Sequence, residues 1–142
     1  MRALDRFVVD TNFFVSAVML PLSVPRQAVD KALDYGVLLF SDATMTELAE
    51  VISRSKFDQY TSIEERMLFL GQLRTAAEFV PNTQLVRECR DPKDDKFLEV
   101  ALNGHADVII TGDADQLVLH PWRAIAILTP MDYLERAAGG PH

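Results

Sequence analysis

The chain has 142 residues, close to the length of one ordinary domain, and 49% of them are hydrophobic, enough to fill a single core and to exclude disorder over most of its length. Twenty-one acidic against fourteen basic residues leave a net charge of -7, which excludes passive binding of nucleic acid or of an anionic membrane through bulk charge. The single cysteine, Cys89, cannot form an intramolecular disulfide, so a reducing, cytoplasmic setting is expected.

Arg2 and Arg6 followed by the apolar stretch Phe13 to Leu22 have the outline of a secretory leader. Asp5, Asp10 and Asn12 interrupt it and no A-x-A-like site follows, so no leader is expected. No apolar run reaches the roughly 18 residues that cross a bilayer, and no membrane association is expected.

Phe7-Val8-Val9 reads as a buried strand ending at Asp10. Ser23 and Pro25 open a helix with Ala28, Val29, Ala32 and Leu33 at helical spacing, and Gly36 stands where a C-terminal cap belongs. Val37 to Phe40 is a second strand, followed by a helix from about Thr44 to Arg54 with Leu48, Val51 and Ile52 on one face. The capping box Ser62-x-x-Glu65 precedes a helix carrying Met67, Leu68, Leu70, Leu73 and Ala77, and Phe79-Val80 reads as a short strand. Asp91-Pro92 reads as N-cap and first residue of a helix that runs through Phe97, Leu98, Ala101 and Leu102 to Gly104. Val108 to Thr111 is the clearest strand. A turn at Gly112, a loop or short helix to His120, a strand from Ile125 to Leu128 and a helix from Thr129-Pro130 complete the pattern, with 137–142 expected as a frayed tail. Strands alternating with helices predict one three-layer α/β domain over 1–136, with a mainly parallel sheet and helices on both faces.

In such a fold ligands bind beyond the carboxyl ends of the strands. Asp10 ends the first strand and Asp113 lies just past Thr111. Crossover helices run antiparallel to the strands, so their first turns reach the same edge, which brings Glu47 and the pair Asp94 and Asp95 there. Carboxylates gathered in one crevice repel one another, and a bound divalent cation relieves the repulsion. Oxygen ligands without His or Cys favour a hard ion such as Mg²⁺ or Mn²⁺, which suits hydrolysis of a phosphodiester by an activated water.

Each acid also has an ordinary structural role open to it. Asp10 suits a turn after a strand, and Thr44-x-x-Glu47 has the form of a capping box. Asp91 with Asp94 has the form of an N-cap with an acidic third residue, and Asp113 and Asp115 lie in a glycine-containing turn where Asp is common. It is their common location that favours the functional reading. Phe13, Phe14 and Trp122 read as core more readily than as base-stacking platforms, and the three histidines and Cys89 show no ligand spacing.

Four blocks, Val8-Val9-Asp10-Thr11-Asn12, Thr46-Glu47-Leu48 with Val51, Asp91-Pro92-Lys93-Asp94-Asp95-Lys96-Phe97-Leu98 with Ala101, and Thr111-Gly112-Asp113-Ala114-Asp115, resemble the four acidic blocks of PIN-domain nucleases. Leu128-Thr129-Pro130 with Tyr133-Leu134 resembles the end of the VapC-like branch, the toxins of toxin-antitoxin systems. The resemblance implies a metal-dependent ribonuclease with a five-stranded parallel sheet of order 3-2-1-4-5. It implies Asp10, Glu47, Asp94 and Asp113 as the catalytic, metal-binding acids, Asn12 and Thr111 as their hydrogen-bonding supports, and Asp95 and Asp115 as candidate further metal ligands, Asp115 through water. Either Asp94 or Asp95 is the third acid, because neighbouring helical residues point about 100° apart and only one can face the metal directly, and Asp94 better fits the D-P-x-D block. It also implies an RNA substrate, a small antitoxin protein and a homodimer, with the apolar stretch Phe13 to Leu22 and the Met67 helix as candidate surfaces.

Arg87, Arg90, Lys93 and Lys96 cluster around the third block and are candidates to hold RNA phosphates, with Arg54 and Lys56 a weaker second patch. The alternatives are an RNA-processing or structure-specific nuclease without an antitoxin, and a non-catalytic acidic-pocket domain. A phospho-accepting regulatory domain is disfavoured because Asp10 is followed by Thr11 and the last strand ends in Leu128-Thr129-Pro130 rather than in a lysine. A phosphatase with a D-x-D loop is disfavoured because position 12 is Asn.

Overall fold

A computed structural model of the chain describes residues 5–20, 22–87 and 94–139, with the side chains of 137–139 excepted. The elements are β1 (Asp5–Val9), α1 (Thr11–Met19), α2 (Val24–Tyr35), β2 (Gly36–Phe40), α3 (Asp42–Ile52), α4 (Ile63–Ala76), β3 (Glu78–Phe79), α5 (Asp95–Asn103), β4 (Val108–Ile110), α6 (Ala114–Leu117), β5 (Ala126–Leu128) and α7 (Pro130–Gly139). The five strands form one sheet of order β3-β2-β1-β4-β5, and every pairing is parallel. The α/β class is as the alternation of strands and helices predicts, and the 3-2-1-4-5 order is as the family resemblance implies.

Alternation along the strands builds two cores. Phe7 and Val9, Leu38 and Phe40, and Val108 and Ile110 point to one face, where they pack against α1, α2, α3, α4 and Tyr133 of α7. Val8, Leu39 and Ile109 point to the other, against Phe97, Leu98 and Ala101 of α5 and against Trp122. Phe14 stacks on Phe40 with ring centroids 5.4 Å apart, and Phe7 meets Tyr133 edge-on at 5.1 Å. Phe13, Phe14 and Trp122 are all buried, so none presents a free ring to a base.

Several boundaries differ from expectation. The sequence pattern gives no helix between Asp10 and Ser23, yet α1 fills most of that interval. Its β-branched and aromatic residues are modest helix formers. Its stability comes from burial of Phe13, Phe14, Ala17 and Val18 between the sheet, α2 and α3, and from capping by Asp10. Helix α3 begins at Asp42, two residues earlier than expected, because Ser41 is its N-cap and Thr44 its reciprocal partner. Gly36 follows α2 in an extended conformation, φ -149°. It is glycine for steric room: an added Cβ would sit 2.0 Å from the Phe7 ring. Helix α7 continues to Gly139, into the stretch expected as a tail, while the Asp91-Pro92 cap lies outside the described residues.

Two clamps hold the periphery. Arg66 of α4 is fully buried, donates to the carbonyls of Ile52 and Arg54 at 3.2 and 3.0 Å, and pairs with Asp58. Asn103 and Glu99 of α5 hold the segment after β3: Asn103 Nδ2 donates to the Gln84 carbonyl at 3.0 Å and the Val86 amide donates to Glu99 at 2.9 Å. That anchoring ties the segment after β3 to the second half of α5.

Candidate active site

The site is built at the carboxyl edge of the two central strands. Asp10 directly follows β1, and its amide donates to the Ile110 carbonyl at 3.4 Å, so it is the last residue held by the sheet. As N-cap of α1 it accepts the Phe13 amide on Oδ1 at 2.9 Å. The Thr111 hydroxyl donates to Oδ2, and the same hydroxyl accepts the Asp113 amide at 3.0 Å. Thr111 therefore fixes Asp10 and Asp113 relative to each other from a fully buried position. Burial pushes the Asp10 carboxyl up from its ordinary value, and the charge of Asp113 adds to that. Hydrogen bonds from Thr111, Phe13 and the Gly112 amide oppose it.

Asp113 is N-cap of the short helix α6 and accepts the Asp115 amide on Oδ1 at 2.9 Å. Glu47 stands in the second turn of α3. The capping role its sequence context offered is taken by Ser41 and Thr44, so Thr44-x-x-Glu47 is not a capping box in the fold and Glu47 faces the cleft. Both of its carboxylate oxygens have donors: Lys96 Nζ lies 2.9 Å from Oε1, and the Thr11 hydroxyl donates to Oε2. Asp94 holds the N-cap position of α5 but makes no side-chain capping bond.

Asp10, Glu47, Asp94 and Asp113 line one cleft of about 240 Å³, together with Asn12, Val51 and Phe97. A second, wider depression of about 580 Å³ shares Asp10, Asn12 and Asp113 and continues past Phe13, Ser16, Pro25 and Pro130. Asp10 and Asp113 thus border both. Asp95 is buried on α5 and Asp115 lies in the first turn of α6, and neither lines the cleft.

Among the basic candidates, Lys96 is engaged with Glu47 rather than presented to solvent, Arg87 is exposed, and Arg90 and Lys93 lie outside the described residues. Arg54 of the second patch pairs with Glu50 at 2.8 Å. Sequence reasoning assigned no role to Thr11. Its one signal was a hydroxyl directly after an acid that ends a strand.

The donor set is carboxylate oxygen throughout, without nitrogen or sulfur, which suits a hard divalent cation. Among the described residues no three Asp, Glu, His or Cys side chains converge tightly enough to hold an ion by themselves, and Lys96 supplies compensating charge at Glu47.

Comparison with known proteins bears on this arrangement. The PIN domain family matches residues 6–115. The uncharacterized protein MJ1680 of Methanocaldococcus jannaschii is 31% identical over 117 residues, covering 80% of this chain and 74% of its own. The structure of VapBC2 from Rickettsia felis, bound to a DNA fragment from their promoter, superposes with a TM-score of 0.59 at 13% identity, over 87% of this chain and 98% of the other. PAE2754 from Pyrobaculum aerophilum superposes with a TM-score of 0.63 at 13% identity, over 96% and 91%. Identity that low speaks to fold alone, and the fold it shares is the 3-2-1-4-5 sheet. The sequence match runs through the segments that carry Asp10, Glu47, Asp94 and Asp113, and on that ground the chain belongs to the PIN-domain family of nucleases.

Proposed function

We propose that this protein is a divalent-cation-dependent endoribonuclease and the toxin of a toxin-antitoxin pair. The observation that carries the nuclease reading is the gathering of Asp10, Glu47, Asp94 and Asp113, from four separate chain segments, around one cleft. Asp10 and Asp113, joined through Thr111, and Glu47, oriented by Thr11, present their carboxylates to the cleft. Asp94 and Asn12 would complete the oxygen set. A Mg²⁺ or Mn²⁺ ion bound there would supply a water nucleophile at neutral pH and neutralise charge on the phosphate. The chain's part is to hold those oxygens in place and to offer an open groove on either side of Asp10 and Asp113 for a strand to pass.

The toxin reading rests on the resemblance of the terminal blocks and on the fold shared with VapBC2. A small antitoxin and a second copy of the chain are the partners it entails. Tyr60, ahead of α4, and Ile63, Met67 and Leu68 in its first two turns are exposed and are consistent with a surface a partner would cover. Of the stretch Phe13 to Leu22, Phe13, Phe14, Ala17 and Val18 are core, leaving Leu20 and Leu22 exposed. No helix among the described residues is long and apolar enough to cross a membrane.

The test is cleavage of a labelled single-stranded RNA by the purified protein with Mg²⁺, with Mn²⁺ and with EDTA, beside Asp10→Asn. Cleavage that needs the ion and is lost in the variant is the expected result. Equal cleavage by the variant, or cleavage in EDTA, would sink the reading.

A further inference from the structure

We propose that Lys96 is an internal counter-cation of the acidic cleft, its ammonium holding Glu47 in the unloaded protein and competing with the divalent cation for that carboxylate. The inference rests on the cation-dependent reading above and adds a regulating element to the same site. Lys96 Nζ lies 2.9 Å from Glu47 Oε1 and joins α5 to α3 across 49 residues of sequence. Thr11 occupies Oε2, so the carboxylate is held at both oxygens, one by a full positive charge.

Four carboxylates around a small cleft place strong negative potential there, and a lysine drawn into contact with one of them is the chain's own means of relieving it. A divalent cation relieves it better. Two cations on one carboxylate repel, so loading requires Lys96 to step back. In the position that pairs with Glu47, Nζ is already 5.4 Å from the ring of Phe97, which itself lines the cleft, so an ammonium released from the carboxylate keeps a cation–π contact that holds it at the site. Lysine suits this role because its ammonium is a single point charge on a flexible stem, more readily released from a carboxylate than a bidentate guanidinium.

The side chains of Lys96 and Glu47 are 23% and 29% exposed, so the pair is partly screened and its expected weight is that of a surface pair, about a fivefold change in affinity. The experiment is a calorimetric titration of Mn²⁺ into wild type, Lys96→Met, Lys96→Arg and Asp10→Asn at low ionic strength. In parallel, the nitrogen-15 ammonium signal of Lys96 is followed in the wild type during a Mg²⁺ titration. Lys96→Met is expected to bind Mn²⁺ about fivefold more tightly than wild type, and Lys96→Arg no more tightly. The wild-type ammonium signal is expected to move as Mg²⁺ saturates. Equal or weaker binding by Lys96→Met, with wild type binding normally, overturns the proposal and leaves the cation-dependent reading standing. Absence of binding in wild type and Lys96→Met alike overturns both. Binding by the variant alone supports the competition. Should Lys96→Met fail to fold, an ammonium signal unmoved at Mg²⁺ saturation overturns the proposal by itself.

Discussion

The two ends of the central strands treat charge in opposite ways. At the amino end, Arg6, the second residue of β1, has its charge matched. Its guanidinium pairs with Glu78 of β3 and donates to the Gly104 carbonyl at 2.9 Å, and its backbone amide donates to Asp107 at 2.8 Å. The Arg6 pairing holds the Glu78 carboxyl below its usual range. At the carboxyl end, Asp10 and Asp113 sit side by side, and burial with like charge pushes Asp10 up. One edge is arranged for stability. The other holds like charges together against their repulsion, which is how binding and catalytic sites differ from structural ion pairs.

The largest effect that would break this contrast is on activity. Replacing Asp113 by Asn keeps the side chain's shape but removes one charge, and RNA cleavage should fall on the order of 10³-fold. A single-turnover assay at saturating Mg²⁺ reads it, and a loss under tenfold would mean that the carboxyl edge is not the working one. Next in size, Arg66→Met should destabilise the fold by about 3 kcal/mol, because the Ile52 and Arg54 carbonyls lose a buried donor. Urea unfolding followed by circular dichroism measures this, and cleavage per folded molecule should not change.

Asp10→Asn should do the reverse of Arg66→Met. The fold raises the Asp10 pKa, so it favours the protonated form, and that contribution is present at low pH and lost as pH rises through the folded-state value. At neutral pH in EDTA the ionised carboxylate therefore costs stability, and the Asn variant should melt higher than wild type. The gap should close as the pH falls below the usual Asp range. A variant that melts lower at pH 7 would contradict the strained character of this edge.

Gln116 sharpens the comparison from within the carboxyl side. It is buried on α6, and neither end of its amide has a hydrogen-bond partner among the described residues. Gln116→Leu should raise stability by about 1 kcal/mol if that amide serves folding alone. The smallest effect belongs to the amino end: Glu78→Gln should cost under about 1 kcal/mol, since the pair is largely exposed. Because the fold lowers the Glu78 pKa, the wild-type advantage should be present above the usual Glu range and fade as pH falls through the depressed value. Added salt should shrink it as well.

Much of the fold was legible from local pattern. Val8 alternates with Phe7 and Val9 between two cores, the Val108 strand is apolar throughout, and Ser23 and Ser62 cap the helices they precede. What was not legible depended on contacts rather than pattern. Helix α1 has few local helix signals and forms because the sheet, α2 and α3 bury its aromatic face. The cap of α3 was read at Thr44 with Glu47, but Ser41 lies one strand-end earlier and takes Thr44 as its partner. Arg66 carries no local signal of its role and is fully enclosed.

By itself the sequence determined the class of the domain, the alternation of its strands and helices apart from α1, and the four acids that topology delivers to one edge. These follow from periodicity, caps and strand ends, which act over a few residues. The tertiary structure decided how those acids are held. Thr11 meets Glu47 over 36 residues, Lys96 meets Glu47 over 49, and Thr111 meets Asp10 over 101. Those partners are brought together only when α1, α3, α5 and the paired strands β1 and β4 have packed, because a hydrogen bond or ion pair acts over a few ångströms of space and no local pattern in the chain encodes so distant a neighbour.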